Sequence, residues 1–358
     1  MMKKICFLIG SMGHSGGTER VTSIIANQLI SQNYDISILS LSNGNSSFFE
    51  LDSRIKLDSM FDNKVSMKKN FISCCYKIRK YVQKNKIDTL IVVDSISCVF
   101  TVPALFGLKI KHICWEHFNF NVNLGVKYRD IGRRWAAKYC DYVITLTKRD
   151  KELWEQGLTC INANIQPIAN PTPYENIINK PSQEYRTVLA MGRLTNQKGF
   201  DILLNAWHDV SKVHSNWMLH VVGSGEDEFK LKTLAKELNL EDNVKFFPTT
   251  KDVVSFYNTA SIFCLSSRYE GFGMVILEAM SFSLPIVSFN CDCGPSDLIV
   301  DGGNGFLVDN GNKELLAKAL SNLIKMDTES YQNKVKSSLI LSEKYKANQL
   351  IVKWKEII

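Results

Sequence analysis

Strand and helix signals alternate along this chain, and the alternation runs through twice. Short apolar runs are followed by segments whose apolar residues recur at helical spacing, which is typical of a doubly wound, mostly parallel sheet. Because 358 residues are many for one core, we predict an α/β fold with two Rossmann-like domains facing a cleft. The predicted strands are Ile5–Ile9, Asp35–Leu41, Thr89–Val93, His112–Trp115 and Tyr142–Thr147, then Thr187–Met191, Trp217–Val222, Val244–Phe247, Ile262–Ser266, Pro285–Ser288 and Gly305–Val308.

A proline-dense stretch separates the two halves. Residues 166–173 contain three prolines, and Pro181 follows soon after. Irregular, proline-rich segments mark domain boundaries. We therefore predict a first domain over 1–168, a linker over 169–184 and a second domain over 185–340. The final segment, 341–358, is predicted to be helical.

The positive charge of the chain lies in its first half. Residues 1–178 carry 23 Lys and Arg against 15 Asp and Glu, whereas residues 179–358 carry 20 against 21. Residues 68–86 hold seven basic residues and no acidic one, and Phe71, Cys75, Ile78 and Val82 recur at helical spacing. Two interpretations of this basic helix stay open: a solvated helix packed on its own sheet, or electrostatic docking on an anionic membrane. No recognised motif accompanies the charge, so nucleic acid is not an expected partner.

Hydropathy and cysteine spacing argue for a cytoplasmic protein without a metal site. No run approaches the ~18 uncharged apolar residues that a membrane span needs. The apolar run Ile5–Ile9 is shorter than an export signal requires, so we expect it to be a first strand. The ten cysteines include no pair at zinc-finger spacing and are expected to be free thiols in a reducing compartment.

The segment Glu270–Glu278 carries the strongest chemical signal. Two carboxylates lie eight positions apart, and between them a Gly271-Phe272-Gly273 loop opens onto an apolar helix that begins near Met274 and Val275. The beginning of a helix offers unpaired backbone N–H groups and a positive dipole end, which suits a phosphate. A phosphate site flanked by two carboxylates that can bind hydroxyl groups suggests a sugar nucleotide as the ligand.

Three further motifs follow predicted strands. Gly192-Arg193 and Lys198-Gly199 place two cations on a strand-to-helix turn, where they could stabilise a phosphoryl leaving group. Gly16 and Gly17 end the first glycine loop, and His117 follows the strand His112–Trp115. In this glycine loop the G-x-G-x-x-G spacing is absent, and the second strand ends without an acid for a ribose. Both details argue against an NAD-dependent enzyme.

Taken in order, these motifs resemble the retaining glycosyltransferases of family 4 (glycosyl transferases group 1), which have the GT-B fold. The resemblance covers nearly the whole chain and rests on Gly16-Gly17-Thr-Glu-Arg, Glu116-His117, Asn170-Pro171, Gly192-Arg193 with Lys198-Gly199, and Glu270-x7-Glu278. Within the family it points to bacterial capsule, exopolysaccharide and O-antigen enzymes. It also implies that the first domain binds the acceptor and the second the donor, with the last helix crossing back to the first domain.

The resemblance implies a role for each candidate residue. Arg193 and Lys198 would bind the diphosphate of a nucleotide-sugar, Glu270 would contact the transferred sugar, and His117 would touch the sugar or the acceptor. These four form the predicted catalytic set. The residues predicted to bind substrate are Gly16, Gly17, Gly223, Gly271, Phe272, Gly273, Met274, Val275 and Glu278, of which Glu278 would hold the ribose hydroxyls.

The resemblance also implies the reaction. The expected enzyme moves a hexose or N-acetylhexosamine with retention from a nucleotide-sugar, UDP-linked by family frequency, to a polyprenyl-diphosphate-linked saccharide. It would need neither metal nor cofactor, and would act in the cytoplasm or on the cytoplasmic face of the membrane. Two alternatives stay open: a GT-B-like sugar-nucleotide epimerase, and an NAD-dependent oxidoreductase.

Overall fold

Two parallel β-sheets organise residues 2–358, which are the residues that the computed structural model describes. The first sheet has seven strands in the order β3-β2-β1-β4-β5-β6-β7, and the second has six in the order β10-β9-β8-β11-β12-β13. Both orders start from a central first strand and grow outward on either side of it, which is the doubly wound pattern. The strands are β1 Lys4–Ile9, β2 Asp35–Ser40, β3 Lys56–Ser59, β4 Thr89–Val93, β5 Lys111–Trp115, β6 Tyr142–Thr145, β7 Asn164–Pro167, β8 Thr187–Met191, β9 Met218–Val222, β10 Val244–Phe247, β11 Ile262–Leu265, β12 Ile286–Phe289 and β13 Gly305–Val308.

Thirteen α-helices are described in residues 2–358. They are α1 Gly17–Ser31, α2 Phe71–Asn85, α3 Cys98–Leu105, α4 Lys127–Tyr139, α5 Lys148–Gly157, α6 Phe200–Val213, α7 Glu228–Glu237, α8 Val254–Asn258, α9 Met274–Ser281, α10 Pro295–Leu298, α11 Lys313–Ile324, α12 Thr328–Ser342 and α13 Ala347–Ile357. None of the helices in the described chain is long and apolar enough to cross a membrane. The two predicted α/β domains are confirmed by these elements.

The chain divides into two units near Pro173. Unit 1 runs through Pro173 and also includes Ala347–Ile358, whereas unit 2 is Tyr174–Lys346. Residues 174–184 lie within the span predicted as a linker, 169–184, but they pack on unit 2. The Tyr174 ring lies 5.2 Å from the Phe282 ring, and Gln183 donates to the Met326 carbonyl.

The final segment predicted to be helical, 341–358, covers the end of α12 and all of α13. The chain leaves α12, makes a short turn and passes through Lys346, whose backbone is extended (φ −63°, ψ 143°). Only α13 belongs to unit 1, where the ring of Trp354 packs against that of Trp115 at 4.8 Å. The predicted boundary at residue 341 therefore falls inside α12.

One apolar cluster in unit 1 shows which sides of its helices are buried. Helices α2, α3, α4 and α5 contribute buried residues to one apolar cluster, including Cys74, Ile78, Val99, Ala136 and Trp154. The predicted stripe of the basic helix is shifted in part, because Cys74 is fully buried while Phe71 and Cys75 are only half-buried. The basic side of α2 therefore faces away from the sheet. In unit 2, α6, α7 and α11 cover a second apolar cluster in the same way.

Candidate active site

The predicted residues of unit 2 follow two strands that lie side by side at the centre of its sheet. Strands β8 and β11 are neighbours although 70 residues separate them, and β9 lies on the other side of β8. In a doubly wound sheet, ligands bind at the carboxyl ends of the strands where the strand order reverses. Arg193 and Lys198 follow β8, and Glu270 follows β11, so all three lie at this point of the sheet.

Lys198 and Glu270 form an ion pair. The Lys198 Nζ lies 2.6 Å from Glu270 Oε1, and the side chains are 17% and 7% exposed. The same Oε1 accepts a hydrogen bond of 2.6 Å from the Ser267 hydroxyl. A carboxylate so little exposed needs a cation and donors to stay charged. The structure thus brings together two residues that the sequence analysis assigned separately to diphosphate and sugar.

A second ion pair fixes the two loops to each other. Arg268 donates to both carboxylate oxygens of Asp201 at 2.8 and 2.7 Å, and this pairing lowers the pKa of Asp201. The backbone adds two more contacts, because the Arg268 N–H donates to the Gln197 carbonyl and the Ser266 hydroxyl to the Lys198 carbonyl. Lys198 and Glu270 are therefore held at a fixed separation by contacts outside the pair.

Close backbone packing explains the glycines of the next loop. Gly223 has a φ of 149°, and a Cβ there would overlap the carbonyl oxygen of Gly192. A Cβ on Gly225 would overlap the Leu194 carbonyl oxygen in the same way, and the Leu194 N–H donates to the Ser224 carbonyl at 3.0 Å. The turn after β9 thus packs directly against the turn after β8 and is hydrogen-bonded to it. A substrate contact of Gly223 stays a prediction.

The side chain of Arg193 is available to a ligand. It is exposed, and its guanidinium makes no hydrogen bond or ion pair to any residue in 2–358. The backbone around it is not free, because the next residue, Leu194, is buried and hydrogen-bonded on both sides. A fixed backbone with an unpaired guanidinium suits binding of an anion, since Arg offers bidentate donors at little cost in backbone order.

The loop after Glu270 leads into α9 as predicted. Phe272 is buried, and Gly273 adopts the left-handed conformation (φ 85°) at the helix N-cap, where a residue with a Cβ would be strained. Helix α9 has eight residues, beginning with Met274 and Val275, both half-buried. Gly271 is likewise half-buried. The positive end of the helix dipole therefore follows Glu270 by four residues in the chain.

Glu278 is held by a residue that the sequence analysis missed. Its Oε2 accepts a hydrogen bond of 2.9 Å from the Tyr257 hydroxyl, and both residues are buried. The Tyr257 ring stacks on the Phe282 ring at 4.9 Å, which fixes the direction of the hydroxyl. Tyr257 comes from α8, a short helix without a motif, so no spacing in the sequence indicated it.

The loop after β12 also reaches this region. Burial raises the pKa of the Cys291 thiol to about 12, and the charges of Glu270 and Lys198 act on it as well. A Cβ on Gly294 would overlap the Phe272 carbonyl oxygen, so the loop packs directly on the Gly271–Gly273 segment. Cys291 is therefore a neighbour of the ion pair, and its position at a strand end was the only signal for it.

In unit 1 the first glycine loop runs from Gly10 into α1. Gly16 is the N-cap of the helix and Gly17 its first residue. The carboxylate of Glu19 folds back over Gly16, where a Cβ would overlap Glu19 Oε2, and burial raises the pKa of Glu19. A side chain at 16 would therefore require the Glu19 carboxylate to move, although the Gly16 backbone is extended (φ −77°) and open to other residues. The contact of Gly16 with a donor stays a prediction, as does that of Gly17.

His117 lies at the carboxyl end of β5 with an unsatisfied ring nitrogen. Its ring packs on Trp115 at 4.5 Å, and its Nε2 is buried without a hydrogen-bond partner in the described chain. Burial lowers the pKa of His117 to about 4. The imidazole is therefore neutral near pH 7, and it can donate a hydrogen bond to a hydroxyl group or accept one from it.

This neutrality is testable. We expect the ring resonances of His117 to show no protonation between pH 8 and pH 5.5 in a nuclear magnetic resonance titration, with assignment by the His117→Gln variant. The ring titrates only below that range because burial penalises the imidazolium. A midpoint between pH 6 and 7, near the ordinary pKa of histidine, would contradict the packing of this ring.

Glu116 organises the loop that carries His117. Its side chain is completely buried and accepts from the Ser95 hydroxyl, from the N–H groups of His117 and Phe118, and from Arg133. Arg133 also donates to the carbonyls of residues 119, 120 and 122. The motif Glu116-His117 thus combines a residue that holds the loop with one whose ring packs on Trp115 and keeps an unsatisfied nitrogen.

Comparison with known proteins decides the family. The model described as Glycosyltransferase Family 4 matches residues 15–176, and that described as Glycosyl transferases group 1 matches residues 174–338. An uncharacterized glycosyltransferase of Haemophilus influenzae is 42% identical over 357 residues, covering 100% of both chains. The chain belongs to the group 1 glycosyltransferases of family 4.

Further relatives extend the comparison. The amylovoran biosynthesis glycosyltransferase AmsD of Erwinia amylovora is 28% identical and covers 100% of both chains. A Campylobacter jejuni N-acetylgalactosaminyltransferase, named for an undecaprenol-diphosphate-linked saccharide, is 28% identical and covers 89% of this chain and 88% of its own. The structure of a mutant of Staphylococcus aureus TarM in complex with Fondaparinux, alpha-GlcNAc-glycerol and UDP superposes with a TM-score of 0.83 at 17% identity, covering 99% of both chains. This likeness identifies the fold as GT-B.

One group in this glycosyltransferase could hold a metal ion, and it lies outside the predicted site. Among residues 2–358, only Cys98, His112 and Cys140 bring three suitable ligand atoms within 4.8 Å of one another. All three are buried in the core of unit 1, and hydrogen bonds with Cys114 and Cys140 lower the pKa of Cys98. Close cysteine spacing could not indicate this cluster, because its members come from α3, β5 and the end of α4. No predicted catalytic residue belongs to it.

Proposed function

We propose that this glycosyltransferase moves a hexose or N-acetylhexosamine from a UDP-sugar to a polyprenyl-diphosphate-linked saccharide, with retention, in bacterial surface polysaccharide synthesis. The product carries an α-linkage. The donor is a substrate, and no further cofactor or metal is required. The reaction takes place at the cytoplasmic face of the membrane.

The observation that carries this proposal is the Lys198–Glu270 pair, together with the unpaired guanidinium of Arg193 in the loop that also carries Lys198. These residues follow strands β8 and β11 at the reversal of strand order, where doubly wound sheets bind their ligands. Two cations and the beginning of α9 supply positive charge for a diphosphate without a metal. Glu278, held by Tyr257, supplies a carboxylate for ribose hydroxyls.

Each of these residues has a separate role in the transfer of the sugar. Arg193 and Lys198 neutralise the diphosphate as the bond from the sugar C1 to the phosphate oxygen breaks. Glu270 orients the sugar hydroxyls and keeps Lys198 in place. The acceptor hydroxyl oxygen bonds to C1 from the face that the phosphate leaves, and its proton passes to the departing phosphate oxygen. Gly271 to Val275 contribute backbone N–H groups to the same anion.

Unit 1 supplies the remaining contacts. The half-buried Gly16 and the exposed Gly17 let the backbone approach the donor closely, because neither has a Cβ. The neutral imidazole of His117, with its buried and unpartnered Nε2, hydrogen-bonds a hydroxyl of the sugar or acceptor. A neutral ring suits this role because one of its nitrogens donates a hydrogen bond and the other accepts one.

Relatives support the choice of substrates. The Campylobacter enzyme is named for an undecaprenol-diphosphate-linked acceptor and AmsD for amylovoran biosynthesis, which favours a lipid-linked saccharide. UDP is present in the TarM complex, which has the same fold. We therefore rank UDP above GDP and ADP as the nucleotide of the donor.

Calorimetry with UDP, GDP, ADP and NAD tests the proposal directly. We expect binding of UDP alone, weakened about 10- to 100-fold in Arg193→Gln because a charge-assisted bidentate contact is lost. Arg186→Gln is the matched control, since Arg186 is equally exposed and flanks β8 at its opposite end. Tyr257→Phe should weaken UDP binding about tenfold. Tyr331→Phe, which deletes another buried hydroxyl of unit 2, should not.

Each other outcome has a defined meaning. Binding of NAD alone would overturn the transferase chemistry in favour of an oxidoreductase. Isomerisation of a free UDP-sugar without acceptor would favour the epimerase. Equal losses in Arg193→Gln and Arg186→Gln would place the diphosphate elsewhere.

A further inference from the structure

Three thiols and an imidazole meet in the core of unit 1. Cys98 is the first residue of α3, His112 and Cys114 lie two positions apart on β5, and Cys140 is the C-cap of α4. Because successive side chains of a strand point to opposite faces, His112 and Cys114 share one face of the sheet. Ligand atoms of Cys98, His112 and Cys140 lie within 4.8 Å of one another, and a hydrogen bond joins the thiols of Cys98 and Cys114. The fold thus gathers soft ligand atoms from three separate elements.

The burial of the His112 ring is not explained by hydrogen bonds within the protein. His112 is 5% exposed, and the one hydrogen-bonding contact described for its ring is between Nδ1 and the Cys140 Sγ at 3.5 Å. Its Nε2 has no hydrogen-bond partner among residues 2–358. Moving a polar ring out of water costs free energy unless a strong contact offsets the cost. A ligand bound through Nδ1 would provide such a contact.

The spacing of the group suits a tetrahedral zinc ion. Zinc binds cysteine sulfur at about 2.3 Å and histidine nitrogen at about 2.0–2.1 Å, which at the tetrahedral angle places the two ligand atoms about 3.5 Å apart. The Cys140 Sγ and the His112 Nδ1 are separated by this distance, 3.5 Å. Two sulfur ligands would lie about 3.8 Å apart, which the 4.8 Å limit of the group accommodates. A thiol–imidazole hydrogen bond has a similar length, so the metal itself must be measured.

The type of ligand and its surroundings favour the same ion. Thiolates and imidazoles suit Zn²⁺, whereas Mg²⁺ and Ca²⁺ prefer oxygen ligands, and the described group contains none. The thiolates of Cys98 and Cys140 offset both charges of Zn²⁺, so a dry core can hold the ion. The apolar cluster that contains these thiols also includes Val99, Ala136 and Val143, which shield the group from water.

We propose that Cys98, His112, Cys114 and Cys140 bind Zn²⁺ as a structural site of unit 1. Structural zinc sites have four protein ligands without an open position, and three cysteines with one histidine are a usual set. Cys114 is the fourth ligand because its thiol already contacts that of Cys98. The ion joins α3 and α4 to β5, whose carboxyl end leads directly to His117. It takes no part in the transfer of the sugar, so the site does not rest on the proposed function.

Metal analysis of the full-length enzyme tests this site. The protein is produced with zinc in the medium, dialysed against EDTA and measured by inductively coupled plasma mass spectrometry. We expect about one zinc ion per chain, retained through dialysis because the ligands are buried and released when guanidinium unfolds the protein. Protein produced with cobalt instead should show thiolate-to-metal charge-transfer absorption and the visible bands of tetrahedral coordination.

Alanine variants identify the ligands. Cys98→Ala, Cys114→Ala and Cys140→Ala should each lower the zinc content at least about tenfold, because a structural site needs all four of its ligands. Cys6→Ala is the matched control, since Cys6 is equally buried in the same apolar cluster, and it should keep its zinc. Protection of the β1 and β4 amides from hydrogen exchange shows whether unit 1 still folds in each variant.

The wild-type protein decides the result even where a variant does not fold. Wild-type enzyme without zinc would overturn the site and leave a thiol–imidazole hydrogen bond in its place. Copper as the one bound metal would overturn the choice of ion, and full zinc content in the three cysteine variants of the site would place the metal elsewhere. UDP binding is measured separately by calorimetry, so zinc without UDP binding would instead refute the proposed function and leave the metal site intact.

Discussion

Lys198→Met is expected to lower turnover at least about 100-fold and to destabilise unit 2 by about 3 kcal/mol. The Lys198 Nζ lies 2.6 Å from Glu270 Oε1, and the carboxylate side chain is only 7% exposed. Without the ammonium, Ser267 is the one side chain described as donating to that Oε1. Removing one partner of a buried pair leaves an uncompensated charge, which costs more than the pair itself contributes.

A double variant separates stability from catalysis. Lys198→Met with Glu270→Gln leaves no buried charge, so most of the lost free energy of unfolding should return. Turnover should stay low, because a predicted ligand of the diphosphate and the carboxylate that contacts the sugar are both missing. Recovery of turnover together with stability would show that the pair only braces the fold.

The neighbouring ion pair is the matched control. Arg268 and Asp201 join the same two loops, but their side chains are 30% and 45% exposed. Replacing them with Met and Asn should cost no more than about 1 kcal/mol and should leave turnover within about threefold of wild type. Equal losses of turnover in the two double variants would mean that loop anchoring, rather than charge at the site, limits the reaction.

The centre of the site could be predicted from the sequence because the carboxyl ends of parallel strands lie at the same edge of a sheet. Lys198 and Glu270 lie 72 residues apart, but each follows a parallel strand, and the carboxyl ends of neighbouring strands share one edge of the sheet. The glycine pattern before α9 was informative for a similar local reason: Gly273 takes a left-handed conformation that other residues avoid.

Other parts of the fold and the site could not be predicted, because no motif or periodicity in the nearby sequence indicated them. Tyr257 reaches Glu278 from a five-residue helix, and Cys291 comes from a loop after β12. Helix α4 was not predicted because its inward positions include Arg129, Gly132 and Arg133 rather than an apolar stripe. The edge strand β3 was missed because none of its four residues is buried. In each case the stabilising partner is distant in sequence, so periodicity could not reveal it.

The buried position of Arg133 leads to the largest expected loss of stability. Arg133→Met should cost unit 1 about 4 kcal/mol, a large fraction of the roughly 5–15 kcal/mol that stabilises a typical domain. The Arg133 side chain is 2% exposed, and its guanidinium donates to Glu116 and to three carbonyls of the loop 119–122. Without it, Glu116 keeps neutral donors and Arg129 at 3.8 Å, and three buried carbonyls lose a donor.

Hydrogen exchange read by mass spectrometry locates this loss without assuming two-state unfolding. Peptides spanning 112–122 should exchange faster in Arg133→Met, whereas those spanning β8 and β11 should be unchanged, because those strands belong to unit 2. Arg134→Met is the control, since Arg134 is adjacent but exposed, and it should exchange as wild type does. Adding Glu116→Gln to Arg133→Met should restore part of the protection, because no charge then stays buried without its partner. If protection did not return, the three carbonyls rather than the ion pair would determine the stability of the loop that carries His117.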